Sequence, residues 1–270
     1  MRENTALPSN PSHAPSVTGN GEGHRWPRVI GHRGAALSAP ENTLAGFCMA
    51  AALHVRCVEF DVRLTRDARC ILLHDDTLDR TTNGHGPAAA SSFEEIRRCD
   101  AGSWFGPDFT GQRVPSLEET IELLGRLELG AVIELKPAPG AEAATGRAAA
   151  ALVAERWPAA LPPPLLSSFK PAALAAAREA APRLERALLV GAVPRDWRRQ
   201  IEELDCAMLH ADQRKLDRAI VGEVVEAGLP VFAYTVNLAE RARELFSWGV
   251  GAVFSDCPDR VADGLDAQDI

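Results

Sequence analysis

Residues 57–62 read CVEFDV, a run apolar enough for a buried β-strand that nevertheless carries two acids, Glu59 and Asp61. Side chains two apart along a strand share a face, so both carboxylates project into one small volume. Like charges held that close repel, and burying them without partners is costly. A positive partner belongs between them.

Outward from this stretch, short apolar runs alternate with amphipathic, Ala-rich segments. RVIGH (28–32) precedes NTLAGFCMAAAL (42–53), in which Leu44, Phe47, Cys48 and Ala51 fall at helical spacing. After VRCVEFDV come CILLH (70–74), AVIEL (131–135), PLLSS (164–168), RALLV (186–190), CAMLH (206–210), LPVFAYTV (229–236) and GAVFS (251–255). Helix patterns such as PAALAAAREAA and LDRAIVGEVVEAG lie between most of them. Strand and helix in alternation imply an α/β fold with a parallel sheet, and this many units predict closure into a (β/α)8 TIM barrel. The strand candidates number one more than a barrel needs. CILLH begins too soon after CVEFDV for a crossover helix, so a hairpin excursion is expected somewhere.

Residues 77–115 break the rhythm. They are rich in Gly and Pro and hold one short helix candidate, opening at the capping box Ser92-x-x-Glu95; a second box, Ser116-x-x-Glu119, restarts the pattern. A long irregular insertion in a barrel is expected to cap the active-site face. Residues 1–26 have the Ser, Pro, Asn and Gly content of a disordered tail and lack the apolar run of a signal peptide. The expected organisation is a tail at 1–26, a barrel domain at 27–263 with the 77–115 cap, and a C-terminal tail at 264–270.

The net charge of -8 over 270 residues argues against a nucleic-acid partner, which would call for a basic face. No stretch is long and apolar enough for a transmembrane helix. The six cysteines show no paired or metal-finger spacing, so buried thiols, a reducing compartment and a cytoplasmic location are expected.

Barrel enzymes place catalysis at the C-terminal ends of their strands. Here VIGHRG ends in His32 and Arg33, VEFDV carries Glu59 and Asp61, VIELKP carries Glu134 and Lys136, and CILLHDD adds His74 and Asp75. Glu59, Asp61 and Glu134, without soft ligands nearby, point to a hard divalent cation, Mg2+ or Ca2+. Three carboxylates and a dication leave one negative charge, and Arg33 with Lys136 then turn the site positive, which suits a phosphodiester. The plainer alternatives are a strand-end ion pair for Glu134 and Lys136, and a salt-bridged pair for Glu59 and Asp61. His54, His85 and His210 read as satisfied core residues. His32 and His74 each end a strand, where two imidazoles near one metal can divide acid and base work.

HRGAALSAPENTLAGF (32–47) followed by EFDVRLTRDARCILLHDDTLDRTTNGHG (59–86) resembles the glycerophosphodiester phosphodiesterase family, which shares a barrel and catalytic plan with phosphatidylinositol-specific phospholipases C. DAGSWF (100–105), RVPSLEE (113–119), IELK (133–136), SSF (167–169), YTVN (234–237) and FSDCPD (254–259) extend the likeness, in order, over nearly everything after the tail. The resemblance implies an acid/base pair in His32 and His74, metal ligands in Glu59, Asp61 and Glu134, and phosphate contacts from Arg33 and Lys136. It implies hydrolysis of a small glycerophosphodiester to sn-glycerol 3-phosphate and an alcohol, with the cap and Tyr234 bordering a small polyol. Tyr234 stands where the family usually has tryptophan, Ala68 where a turn glycine is common, and Gly251 where an aspartate is frequent. Two rival readings are a lysophospholipase D-like enzyme, with Trp104, Phe105 and Phe109 as an apolar entrance, and an inactive barrel serving as a binding module. The second predicts a broken ligand set, which the intact positions oppose.

Overall fold

The computed structural model describes residues 26–265, so nearly all of the expected N-terminal tail and residues 266–270 lie outside the described residues. The chain begins with β1 (Val29–Gly31), α1 (Leu44–Ala52), β2 (Cys57–Leu64) and β3 (Cys70–Leu72). The inserted segment holds α2 (Phe93–Arg97), and α3 (Leu117–Leu127) returns the chain to β4 (Gly130–Leu135). Strict alternation follows through α4 (Glu142–Arg156), β5 (Leu165–Ser168), α5 (Pro171–Ala180), β6 (Glu185–Val190) and α6 (Trp197–Leu204). It ends with β7 (Met208–Asp212), α7 (Arg218–Glu226), β8 (Val231–Tyr234), α8 (Ala239–Trp248), β9 (Ala252–Ser255) and α9 (Pro258–Asp263).

β1 pairs in parallel with both β2 and β9, which closes the sheet into a barrel. The supernumerary strand is β3: it runs antiparallel to β2 alone, with Val62 opposite Leu72 and Leu64 opposite Cys70. The remaining eight strands are the parallel barrel expected from the alternation. Among the described residues no helix is long and apolar enough to cross a membrane.

Alternation along each strand decides what faces inward. Val58, Phe60 and Val62 pack outward with Phe47 of α1 and Leu117, Ile121 and Leu124 of α3, and the Phe47 and Phe60 rings meet edge-on at 5.5 Å. Cys57 points the other way, into a plug shared with Ile30, Val132, Leu165, Ala187, Met208, Phe232, Ala252 and Phe254. Trp26, the first described residue, packs edge-on against Phe232 of that plug. Two residues further along several of these strands the inward series becomes polar: Glu59 and Asp61 after Cys57, Glu134 after Val132, Ser167 after Leu165, His210 after Met208. The site therefore rests on an apolar floor.

The insertion has a small core of its own, in which Leu78, Ala88, Ile96, Ala101 and Val114 pack with Ile71 and Leu73. Both expected capping boxes form, at Ser92 with Glu95 and at Ser116 with Glu119. In the β2–β3 turn Ala68 takes φ +58°, with its N–H donating to Thr65 O. This left-handed conformation suits glycine better than a residue with a Cβ. Replacing Ala68 with Gly should stabilise the protein by about 0.5–1 kcal/mol, less than the full left-handed penalty because glycine also gains freedom in the unfolded chain. A thermal melt checks it, with an expected rise of a few degrees.

Candidate active site

β2 and β4 lie side by side with Asp61 directly opposite Glu134. Oxygen atoms of Glu59, Asp61 and Glu134 lie within 4.8 Å of one another, a buried cluster able to hold a divalent ion. Asp61 Oδ1 and Glu134 Oε1 are buried and make no hydrogen bond. Lys136 Nζ approaches them, at 3.6 Å from Asp61 Oδ1 and 3.1 Å from Glu134 Oε1, but outside hydrogen-bonding alignment.

The electrostatics show the same deficit of positive charge. Burial, then the charges of Asp61 and Glu134, push Glu59 well above the usual carboxylate range despite Arg33. Burial and Asp61 push Glu134 up to about 7. Burial also works against Asp61, yet Arg33, Lys136, His74 and the Asn42 amide together lower it to about 2. With protein groups alone, one acid of the three is firmly ionised and the other two are driven toward protonation. The orphaned oxygens and the all-carboxylate donor set fit a hard dication.

Arg33 and Asn42 both adopt left-handed backbone, at φ +51° and +54°, and the loop between them folds back onto the acids. The Arg33 N–H donates to Glu59 Oε2 at 3.1 Å. Asn42 Nδ2 donates to Asp61 Oδ2 at 2.8 Å, and the Asp61 N–H donates back to Asn42 Oδ1 at 3.1 Å. The Arg33 guanidinium donates to Glu41 at 2.8 Å and lies 3.4 Å from Asp61. Neighbouring Gly34, at φ +94°, leaves no room for a Cβ, which would meet the Gly46 carbonyl carbon of α1 at 2.9 Å.

Each catalytic candidate imidazole is backed by a carboxylate. His32 Nδ1 lies 2.6 Å from Asp256 Oδ1, and Asn237 Nδ2 donates to the other oxygen of Asp256 at 2.8 Å. Burial raises the Asp256 carboxyl, but His32 and Asn237 hold it below its ordinary range, so it accepts the Nδ1 proton. That leaves Nε2 toward the acids, 3.8 Å from Glu59 Oε2. His74 Nδ1 likewise meets Asp75 Oδ1 at 2.7 Å. Arg80 grips Asp75 through two hydrogen bonds and Glu41 through two more. Burial, aided by Arg33 and Lys136, keeps His74 below the ordinary histidine range, so its Nε2 is free to take a proton at neutral pH.

His32, Arg33, Glu59, His74, Glu134, Lys136 and Tyr234 all line one cavity of about 420 Å³, with Asp61 buried beside them. Tyr234 contributes ring surface only, because its hydroxyl donates to Val190 O at 2.7 Å. No residue of 77–115 lines the cavity. Phe105 packs edge-on against both Trp104 and Phe109, and the insertion reaches the site through Arg80. His54 and His85 are exposed, contrary to the core reading, since His54 stands on a turn after α1 and His85 in the irregular insertion. His210 is buried but its Nε2 has no partner, so it is not a satisfied core histidine. Sequence reasoning missed Glu41, Asn42, Arg80, Asn237 and Asp256. All fall within the stretches that carry the family resemblance, and Asp256 shares the strand-end position that singled out His32.

Because Glu59 and Glu134 are pushed toward protonation, a cation must displace protons to bind. Affinity for a divalent ion should therefore tighten as pH rises from about 6 to 8, by up to about tenfold per pH unit for each proton released. Calorimetry in two buffers of different ionisation enthalpy would count those protons; pH-independent binding would contradict the arrangement.

The model of the glycerophosphoryl diester phosphodiesterase family matches residues 32–260. The chain is 33% identical over 238 residues to YhdW of Bacillus subtilis (strain 168), covering 86% of this chain and 95% of that one. It is 32% identical over 236 residues to the glycerophosphodiester phosphodiesterase of Caldanaerobacter subterraneus subsp. tengcongensis, covering 86% and 94%. Among solved structures, an Oleispira antarctica phosphodiesterase in complex with the product sn-glycerol-3-phosphate superposes with a TM-score of 0.87 at 38% identity, over 89% of this chain and 97% of that one. With the family motifs running from His32 to the last helix and folding into one acid-lined cavity, this chain belongs to the glycerophosphoryl diester phosphodiesterase family.

Proposed function

We propose that this protein hydrolyses small glycerophosphodiesters to sn-glycerol 3-phosphate and a free alcohol. The observation that carries the reading is the pairing of two carboxylate-backed imidazoles with a three-carboxylate cluster at the wall of one cavity. The complex of the Oleispira antarctica relative with sn-glycerol-3-phosphate supports the choice of product.

A hard divalent cation, Mg2+ or Ca2+, would be held by Glu59, Asp61 and Glu134 and, when bound, supplies positive charge to the phosphoryl oxygens. Lys136 borders the cavity and adds a second cationic contact for the phosphate, beside Arg33. Arg33, tied to Glu41 and close to Asp61, also fixes the loop whose N–H orients Glu59. One imidazole takes the proton of the attacking hydroxyl, from water or from the neighbouring glycerol hydroxyl of the substrate. The other gives a proton to the leaving oxygen. Asp256 and Asp75 hold the Nδ1 protons, so both Nε2 atoms remain available for transfer.

Glycerophosphocholine and glycerophosphoethanolamine suit a cavity of this size, and because the cationic contacts address the phosphate, several head groups are expected to turn over at comparable rates. The six cysteines are free thiols, which fits a reducing, cytoplasmic location. A second reading, with lysophospholipids as substrates, draws on exposed Leu37 and Leu238. Both flank Asp256: Leu37 donates its N–H to Asp256 O, and Leu238 follows Asn237.

His32→Ala and His74→Ala should each lower turnover of glycerophosphocholine by at least ~10²-fold, the scale for losing one proton-transfer group. The two losses should not multiply in the double variant. Chelation should abolish turnover and added Mg2+ or Ca2+ restore it, with sn-glycerol 3-phosphate identified enzymatically as the product. Full activity after exhaustive chelation would refute the metal's part. Lysophosphatidylcholine preferred by ~10-fold or more, about 1.4 kcal/mol in the transition state, would move the assignment to the second reading.

A further inference from the structure

His210 is not used by the acid/base scheme, yet it is built into the same cavity. It lies on β7, two residues beyond Met208 of the apolar plug and two before Asp212 at the rim, so it forms part of the cavity floor. In the closed strand order β7 is four strands from β2 in either direction, which puts His210 across the barrel from Glu59 and Asp61. Its ring stacks on Phe232 with centroids 5.3 Å apart and planes 6° apart, and meets the Phe254 ring at 5.0 Å. Those two aromatics hold the imidazole in one plane.

The residue is 1% exposed, and its Nε2 has no hydrogen-bond partner. Leaving such a group unpaired costs about 1–3 kcal/mol, whereas phenylalanine would stack in the same slot without that cost. Apart from Arg33 Nε and Glu134 Oε1, which belong to the acid cluster, no other cavity-lining side chain has a buried polar atom left unpaired among the described residues. Other polar groups of that wall are committed: Tyr234 to Val190 O, Asp212 to Arg214, and Gln213 to Arg241. Burial lowers the His210 pKa to about 3, so the ring is neutral and offers one N–H and one lone pair. An alcohol hydroxyl can pair with either the N–H or the lone pair, whereas a phosphate, which only accepts, can use the N–H alone and finds stronger donors in Arg33 and Lys136 opposite.

We infer that His210 is a substrate-contacting residue that hydrogen-bonds a hydroxyl of the glycerol moiety and so selects glycerophosphodiesters over phosphodiesters without one. This rests on the function proposed above and names which end of the substrate goes deepest. The enclosed floor suits the small part common to every substrate. The variable head group then leaves past the exposed rim at Phe169 and Arg214.

The experiment compares His210→Phe, which keeps the stack and removes both nitrogens, with His210→Gln, which keeps a donor and an acceptor. The readout is the ratio of kcat/KM for glycerophosphocholine over bis(p-nitrophenyl) phosphate, with thermal melts to check folding. His210→Phe should lower that ratio by about tenfold or more, the scale of a lost hydrogen bond in a buried site, and weaken inhibition by sn-glycerol 3-phosphate relative to inorganic phosphate. His210→Gln should recover part of both. An unchanged ratio in a folded His210→Phe protein would overturn the inference. The unmodified protein gives an independent reading if either variant fails to fold: the His210 ring nitrogens, followed by 15N NMR, should shift with sn-glycerol 3-phosphate and not with inorganic phosphate. No shift with sn-glycerol 3-phosphate also overturns it. A wild-type protein inactive on every glycerophosphodiester would instead defeat the proposed function, and the NMR titration would still decide the contact.

Discussion

Two adjacent parallel strands bring three carboxylates into a space with too little positive charge to satisfy them. Asp61 and Glu134 face each other in register, and Glu59 sits one inward position earlier on β2. Burial and the repulsion among them are only partly offset by Arg33 and Lys136, and by Asn42 at Asp61, and the remainder appears as the raised pKa of Glu59 and Glu134. To be fully ionised such a cluster needs a rigid surrounding scaffold and room for a cation to enter. The barrel meets the first condition by placing a packed apolar plug directly beneath the acids. The open cavity meets the second.

The groups around the acids form one connected network. From His74 it runs through Asp75, Arg80 and Glu41 to Arg33, and Arg33 reaches both Glu59, by its backbone N–H, and Asp61, by its guanidinium. The insertion thereby reaches the site without lining the cavity: it supplies Arg80, which holds the carboxylate behind His74. A second arm joins His32 to Asp256 and Asn237, tying the β1 and β9 ends together where the barrel closes. The two imidazoles thus depend on different parts of the chain for their orientation, and each has its tautomer set by an ionised carboxylate.

Much of this is legible in the sequence, because it is local. The alternation of apolar runs and amphipathic segments reports a parallel barrel, since strands covered by helices outside and by the packed interior inside are largely apolar on both faces and parallel neighbours must be joined by crossovers. The i, i+2 spacing of Glu59 and Asp61 fixes a shared face whatever the fold, and both capping boxes formed because their hydrogen bonds span three residues. What the sequence could not supply was partners distant along the chain. The short spacing between CVEFDV and CILLH points to a hairpin, but only the pairing of β2 with both β3 and β4 shows that β3 is the strand outside the barrel, and nothing in the sequence says that residues 77–115 leave the cavity wall to other loops. His210 shows the limit most clearly. Its position after an apolar run reads as core, and it is indeed buried; whether a buried imidazole is satisfied depends on which atoms lie beside its nitrogens, and those come from β8 and β9. Side-chain type and spacing along one strand are properties of the sequence, whereas satisfaction of a hydrogen bond is a property of the three-dimensional neighbourhood, which barrel closure alone creates.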